Sequence, residues 1–440
     1  MSRVYTNNNE FKRQNADLKT NLPYTEELSV LSEKLTVGST VFPNRLACQA
    51  MEGCDSTADG SPGELTARRY GRFAKGGAGT IWFEATAVME EGRANPRQLY
   101  INESNLDDFK RQVEEIKSTG LKQNGYAPIV IMQATHSGRY SKPHGSPRPL
   151  IAYNNPIFEK DAPIPKEAIV SDEYLDRVKE ALINAAALAE RAGFDGVDIK
   201  CCHRYLNSEL LSAYNRKGRY GGSLENRTRL LRESIAGASE VCGQDFIVTS
   251  RLNVYDGFKY PYGFGVSDNG SLEFDPKEPE WLIKELYGLG VRLLNITMGN
   301  PYFNPHVNRP FAAGPYTPPE EPLSGVARVL FGTERLKKAV PGMKLICSAL
   351  TYLGTAAPNV AAAFIKNGGF DIAGFGRTAF AYPDFASDII NKGGMSAGKI
   401  CIACSKCTEI MRAGGTPGCV IRDSGVYMPI YKNLCGGKKQ

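Results

Sequence analysis

Eight short apolar runs, each followed by a helical pattern, constrain this chain more than any other feature. They lie near 45–51 (RLACQAM), 79–84 (GTIWFE), 128–133 (PIVIMQ), 194–200 (FDGVDIK), 246–251 (FIVTSR), 291–296 (VRLLNI), 344–348 (KLICS) and 371–375 (DIAGF). The runs are mostly apolar rather than alternating, the pattern of parallel strands covered on both faces. Between them lie amphipathic segments. In 172–192, Leu175, Val178, Leu182, Ala185 and Ala189 share one face, and Gly193 supplies a stop. Eight β-then-helix units in 440 residues predict an α/β fold, a (β/α)8 TIM barrel. The rival, an open doubly wound sheet, normally opens with G-x-G-x-x-G. That motif is missing: GGAGTIW and GFGRTAF both fail its spacing.

Composition excludes several classes. The net charge of +6 is spread along the chain without a basic stripe interleaved with aromatics, so nucleic acid is not an expected partner. No run of about 18 apolar residues is present, so no membrane span is expected. The polar start MSRVYTNNNEFKRQNADLKTN lacks the apolar core of a secretory signal, and a cytoplasmic location is the expectation. In that setting the eleven cysteines read as metal ligands and buried thiols rather than a disulfide framework.

A barrel carries its chemistry at the C-terminal ends of its strands. There the apolar runs break into Glu84-Ala85-Thr86, Gln133 with His136, Lys200 with His203 and Tyr205, Arg251, Ser348, and Gly376-Arg377. As a set they suit a flat, hydrogen-bonding ligand with an anionic part; taken singly, each could be an ordinary rim residue. The segments 253–280 and 300–325 are long for βα connections and rich in Tyr, Phe, Pro and Gly. Each reads either as an aromatic lid over a planar substrate or as a structural excursion on the rim.

The stretch DGVDIKCCHRYLNSELLSAYNRKGRYGGSLENRTRLLRESI closely resembles the old yellow enzyme family of flavin-dependent barrel oxidoreductases. MEGCDSTADGSP, FEATAV with EGRANP, QATHSGR, SRLN, NPYFNPHVNRPF and GFGRTAFAYPDF fit in the same order, so the likeness covers roughly residues 30–390. The resemblance implies FMN at the mouth of the barrel. Met51 and Ala85 would offer backbone contacts to its ring, and Gln133 would read the pyrimidine edge. Arg251 would lie where negative charge collects on the reduced ring, and Ser348, Ala349, Gly376 and Arg377 would take the phosphate. Two departures stand out. Relatives often carry paired glycines after strand seven, where this chain has CSAL. On strand four, Tyr205 matches the family's proton donor and His203 its second carbonyl ligand, but Lys200 stands where the first histidine is usual. Lys200 could polarise a carbonyl, pair with a substrate carboxylate or form a rim salt bridge; Arg204 could also meet an acidic substrate. Cys201 and Cys202 read as small packing residues.

Near the C-terminus, Cys401, Cys404, Cys407 and Cys419 follow the spacing C-x2-C-x2-C-x11-C. A trio of thiolates plus one distant thiolate suits a [4Fe–4S] cluster, while zinc on four cysteines stays open. The branch containing 2,4-dienoyl-CoA reductase and trimethylamine dehydrogenase carries such a cluster after strand eight. The expected organisation is an N-terminal extension (1–30), an FMN-binding barrel (31–395) and a short iron–sulfur extension (396–440). The expected activity is ene reduction of a carbonyl-conjugated C=C bond, with Tyr205 as acid and His203 and Lys200 on the carbonyl oxygen. The alternative is an amine or other C–H dehydrogenase that passes electrons out through the cluster. NAD(P)H or a separate electron-transfer protein would exchange electrons, and a homo-oligomer is compatible.

Overall fold

The computed structural model describes residues 4–160 and 162–436. The first three residues of the expected N-terminal extension, residue 161 and the last four of the cysteine-rich extension lie outside the described residues.

A hairpin comes first: β1 (Leu35–Val37) pairs antiparallel with β2 (Thr40–Phe42). The eight expected strands follow as β3 (Leu46–Cys48), β4 (Thr80–Ala87), β5 (Ile129–Thr135), β6 (Gly196–Ile199), β7 (Ile247–Asn253), β8 (Leu293–Thr297), β9 (Lys344–Cys347) and β10 (Ile372–Phe375). They close into a barrel in chain order, with β10 parallel to β3. The hairpin, which the sequence reading did not identify, packs Leu35, Val37 and Phe42 against Ile129, Ile247, Leu293 and Ile372. Those partners are the first residues of their strands, so the hairpin closes the N-terminal end of the cylinder. Chemistry is left to the opposite end.

The helices wrap the outside as the periodicity predicts. In Asp172–Arg191 the buried face includes Leu175, Val178, Leu182, Ala185 and Ala189, and Ser171 caps the start by accepting from the Tyr174 amide. Gly193 follows in the left-handed region at φ +84°, the conformation that ends a helix cheaply only with glycine.

A polar layer crosses the barrel interior beneath the C-terminal mouth. Asp198 Oδ2 accepts from Trp82 Nε1 at 2.7 Å and from Gln133 Nε2 at 2.6 Å, and its Oδ1 accepts from the Arg251 amide at 2.6 Å. Gln49 and Asn295 exchange amide hydrogen bonds at 3.0 and 2.7 Å. These bonds fix which way the strand-end side chains above them can turn.

The two long loops part company. Residues 253–280 fold down: Val266 bridges Phe274, and Tyr255, Phe258 and Phe264 are buried. Residues 300–325 run over the mouth and lend it Tyr302, Asn308 and Arg309. The C-terminal segment docks on the same rim. Arg68 Nη1 donates to Asp423 at 2.7 Å, Thr416 to the Cys54 carbonyl at 3.2 Å, and Ser405 to the Ala313 carbonyl at 2.7 Å. Among the described residues no helix is long and apolar enough to cross a membrane.

Candidate active site

The main cavity sits at the C-terminal mouth and holds about 1050 Å³ of empty space, including the part open to solvent. Met51, Gln133, Lys200, His203, Tyr205, Arg251, Ser348, Ala349, Gly376 and Arg377 all line it. Eleven sequence-predicted residues were assigned here; Ala85 alone does not reach the wall. Its carbonyl accepts from Gln98 Nε2 at 3.1 Å, next to a register shift between Phe83 and Ala85. Two other strand ends are also diverted. Glu84 is buried against Arg69 at 2.5 Å and the Gly53 amide at 2.6 Å. His136 Nε2 lies 2.9 Å from the Tyr174 hydroxyl.

At one end of the cavity lie two guanidinium groups with spare donors. Both terminal nitrogens of Arg309 and Nη1 of Arg377 are buried without a hydrogen-bond partner. Burial, with Arg377 beside it, lowers Arg309 from its usual value to about 10. An uncompensated buried cation is costly, so this pair calls for an anion from outside the chain. Arg377 also donates to the Pro310 carbonyl at 2.7 Å, which aims it. Ala349 stands here at φ +69°, in the region glycine favours. Holding alanine in that conformation costs about 1–2 kcal/mol. Arg309 carried no assignment in the sequence reading; its place on a long loop hid it.

At the other end the strand-four turn presents its side chains through an unusual backbone: His203 and Arg204 have φ +64° and +59°. This sends His203 into the cavity, where its Nε2 has no partner, and Arg204 away from it. Burial holds the His203 imidazole well below its usual pKa, with Arg251 and Lys200 adding to the effect, so the ring is neutral. The expectation that Arg204 meets an acidic substrate is corrected. It is fully enclosed and donates to Asp256 at 3.0 Å, to Tyr153 at 3.1 Å and to Ser212. Cys201 and Cys202 are buried, and burial raises both thiols, as packing residues require.

Tyr205 is fully buried with its hydroxyl in the cavity wall. It donates to Glu52 Oε1 at 2.9 Å and lies 3.0 Å from the Tyr302 hydroxyl. Burial, then the Glu52 carboxylate, raise its pKa well above 10, so it keeps its proton. Lys200 Nζ sits 3.7 Å from the centre of the Tyr205 ring and 3.6 Å from Glu52 Oε1. Lys200 therefore has a partner within the protein. Glu52 and Tyr302 were missed by the sequence reading; they lie within MEGCDSTADGSP and NPYFNPHVNRPF, but they meet Tyr205 only where the strand-one and strand-six loops come together.

A second, smaller cavity of about 370 Å³ is lined by Cys401, Cys404, Cys407 and Cys419, with Lys406 and Arg422. Arg377, Phe380 and Cys407 wall both cavities. Burial pushes the Cys401 thiol up to about 12 and also raises Cys404 and Cys419. Among the described residues no group of three or more His, Cys, Asp or Glu side chains is gathered so as to hold a metal ion. The expected zinc or iron–sulfur occupancy therefore finds a shared cavity and a matching donor set, not a formed ligand cage.

A closed parallel barrel with a cavity at its C-terminal mouth and an arginine pair with spare donors suits a ligand that carries a phosphate. The comparisons agree. The NADH:flavin oxidoreductase / NADH oxidase family model matches residues 31–265, and the chain belongs to that family of FMN-dependent oxidoreductases. An NADPH dehydrogenase of Clostridium acetobutylicum is 30% identical over 241 residues, 54% of this chain and 67% of that one. A 2-naphthoyl-CoA reductase superposes with TM-score 0.72 at 21% identity, covering 90% of this chain but 57% of that one. An old yellow enzyme homologue from Zymomonas mobilis superposes with TM-score 0.62 at 20% identity, covering 82% of this chain and 92% of that one. At such identities the two structures speak for the fold. The residues present fit FMN: Arg309 and Arg377 have spare terminal donors for a phosphate, and Arg251 stands on the cavity wall.

Proposed function

We propose that this chain reduces a carbonyl-conjugated C=C bond, with Tyr205 protonating the α-carbon. The observation that carries the reading is the Tyr205 hydroxyl, held protonated in the cavity wall alongside neutral His203 and the Lys200 ammonium. FMN, when bound, supplies the hydride to the β-carbon. Arg309 and Arg377 would hold its phosphate together with Ser348, Ala349 and Gly376; Met51, Gln133 and Arg251 would border its ring. His203 would donate from Nε2 to the substrate carbonyl, and Lys200 would add positive charge where the enolate oxygen develops. Replacing Tyr205 with Phe should slow product formation about 10²- to 10⁴-fold while FMN binding and reduction stay normal. Unchanged turnover would discard the assignment.

The same proposal gives the four cysteines a [4Fe–4S] cluster, supported by their shared cavity and by its common wall with the flavin cavity. The expected N-terminal extension, barrel and C-terminal extension, a cytoplasmic setting, and NAD(P)H or a separate electron-transfer protein as donor belong to this reading too. Anaerobic purification with iron, sulfide and flavin quantification tests the cluster; flavin without iron removes it from the account.

A second reading, an amine or C–H dehydrogenase, draws support from the Glu52 carboxylate beside stacked Tyr140 and Tyr302, whose ring centres lie 4.0 Å apart. Carboxylates and aromatic faces attract ammonium groups. Lys200 on the same wall repels them, which ranks this reading second. Anaerobic assays with enones against amines separate the two.

A further inference from the structure

We propose that Glu52 resupplies the proton that Tyr205 delivers, an inference that rests on the ene-reductase reading above. Each turnover consumes one proton at Tyr205, yet Tyr205 is 1% exposed. Its hydroxyl has two partners, Tyr302 and Glu52. Tyr302 is the poorer carrier: it is partly exposed, but its pKa is raised well above 10, first by burial, and its ring is stacked on Tyr140. The Glu52 side chain is 14% exposed, against 2% for Lys200, so this carboxylate is in reach of solvent.

The surroundings of Glu52 leave its carboxylate in contact with Tyr205 and in reach of solvent. Lys200, Tyr205, Tyr302, Cys54 and Cys202 are the titratable groups that face it. No guanidinium clamps it. Glu84, only a strand away, shows the contrast: it is held by Arg69 and by the Gly53 amide, and nothing about it can turn.

The step balances. The Tyr205 O–H bond breaks as the α-carbon C–H bond forms, leaving a tyrosinate beside the Lys200 ammonium. The Glu52 carboxylate, which accepts from the Tyr205 hydroxyl at rest, then takes a proton from solvent and passes it to Tyr205 Oη, returning to a carboxylate. Two electrons come from the FMN cofactor, so the relay carries protons alone. Glu52 acts through Tyr205 rather than on the substrate.

The test compares first and later turnovers of the FMN-loaded enzyme with 2-cyclohexenone under anaerobic conditions, with dithionite reducing the flavin before the first turnover and between later ones. In Glu52→Gln the first turnover should stay within about twofold of wild type, while steady-state turnover falls about 10²-fold and shows a burst of about one product per site. Millimolar acetic acid or imidazolium should restore the later turnovers in Glu52→Ala, and Glu52→Asp should retain part of them. Steady-state turnover within about twofold of wild type, or a first turnover slowed as much as the later ones, overturns the proposal. Tyr205→Phe is run in parallel: if its first turnover matches wild type, the ene-reductase reading itself has failed, separately from the role of Glu52.

Discussion

At the phosphate-seeking end of the cavity, Arg309 and Arg377 keep three buried terminal nitrogens without partners; behind the strand-four turn, Arg204 is fully enclosed, both its terminal nitrogens donate to Asp256, Tyr153 and Ser212, and its Nε alone lacks a partner. Both are buried arginine sites in the same barrel. The difference separates what the chain built for itself from what it holds open for a ligand, because a folded protein tolerates an unpaired buried charge only where something else completes it.

Four experiments break or sharpen that contrast. Arg204→Met strands the Asp256 carboxylate and should cost about 3–5 kcal/mol in denaturant unfolding, with flavin affinity per folded molecule unchanged. Arg309→Ala combined with Arg377→Ala should do the reverse. FMN dissociation, followed by fluorescence, should rise at least about 10²-fold, while the flavin-free protein unfolds no more easily than wild type. The buried histidines give a pH version of the same comparison. Burial lowers His136 to about 4, so the unfolded chain binds its proton first as pH falls. Stability should be complete above about pH 6.5 and drop by about 3 kcal/mol as pH approaches 4. His136→Gln should flatten that drop in pH-dependent unfolding. The smallest effect belongs to Arg97, which ties the cysteine-rich segment through Thr416 and the Gly414 carbonyl. Arg97→Ala should change overall stability by less than about 1 kcal/mol, as expected of exposed polar ties.

Much of the molecule was legible because period and position carry meaning in a barrel. All eight strands fell where apolar runs stood, since parallel strands under helices must be apolar on both faces. Ten of the eleven non-cysteine site residues line the cavity, because strand ends point to one mouth. Ala85 lies off that wall next to the register shift in β4, where its carbonyl accepts from Gln98. Glu52, Tyr302 and Arg309 were invisible because loop residues gain a role only from what they face. The β1–β2 hairpin escaped for a different reason, having too few residues per strand to show an alternation.

The sequence by itself determined the barrel, the end that carries chemistry and the family, because repeating apolar periods and fixed motif spacings are local properties of the chain. Only the tertiary structure decided which charges are spent inside the protein and which face a ligand. It turned Arg204 inward and His203 outward through two adjacent left-handed residues. It also brought Glu52 to Tyr205 across 153 positions. Pairing depends on distances between segments far apart in the chain, and no local pattern encodes them.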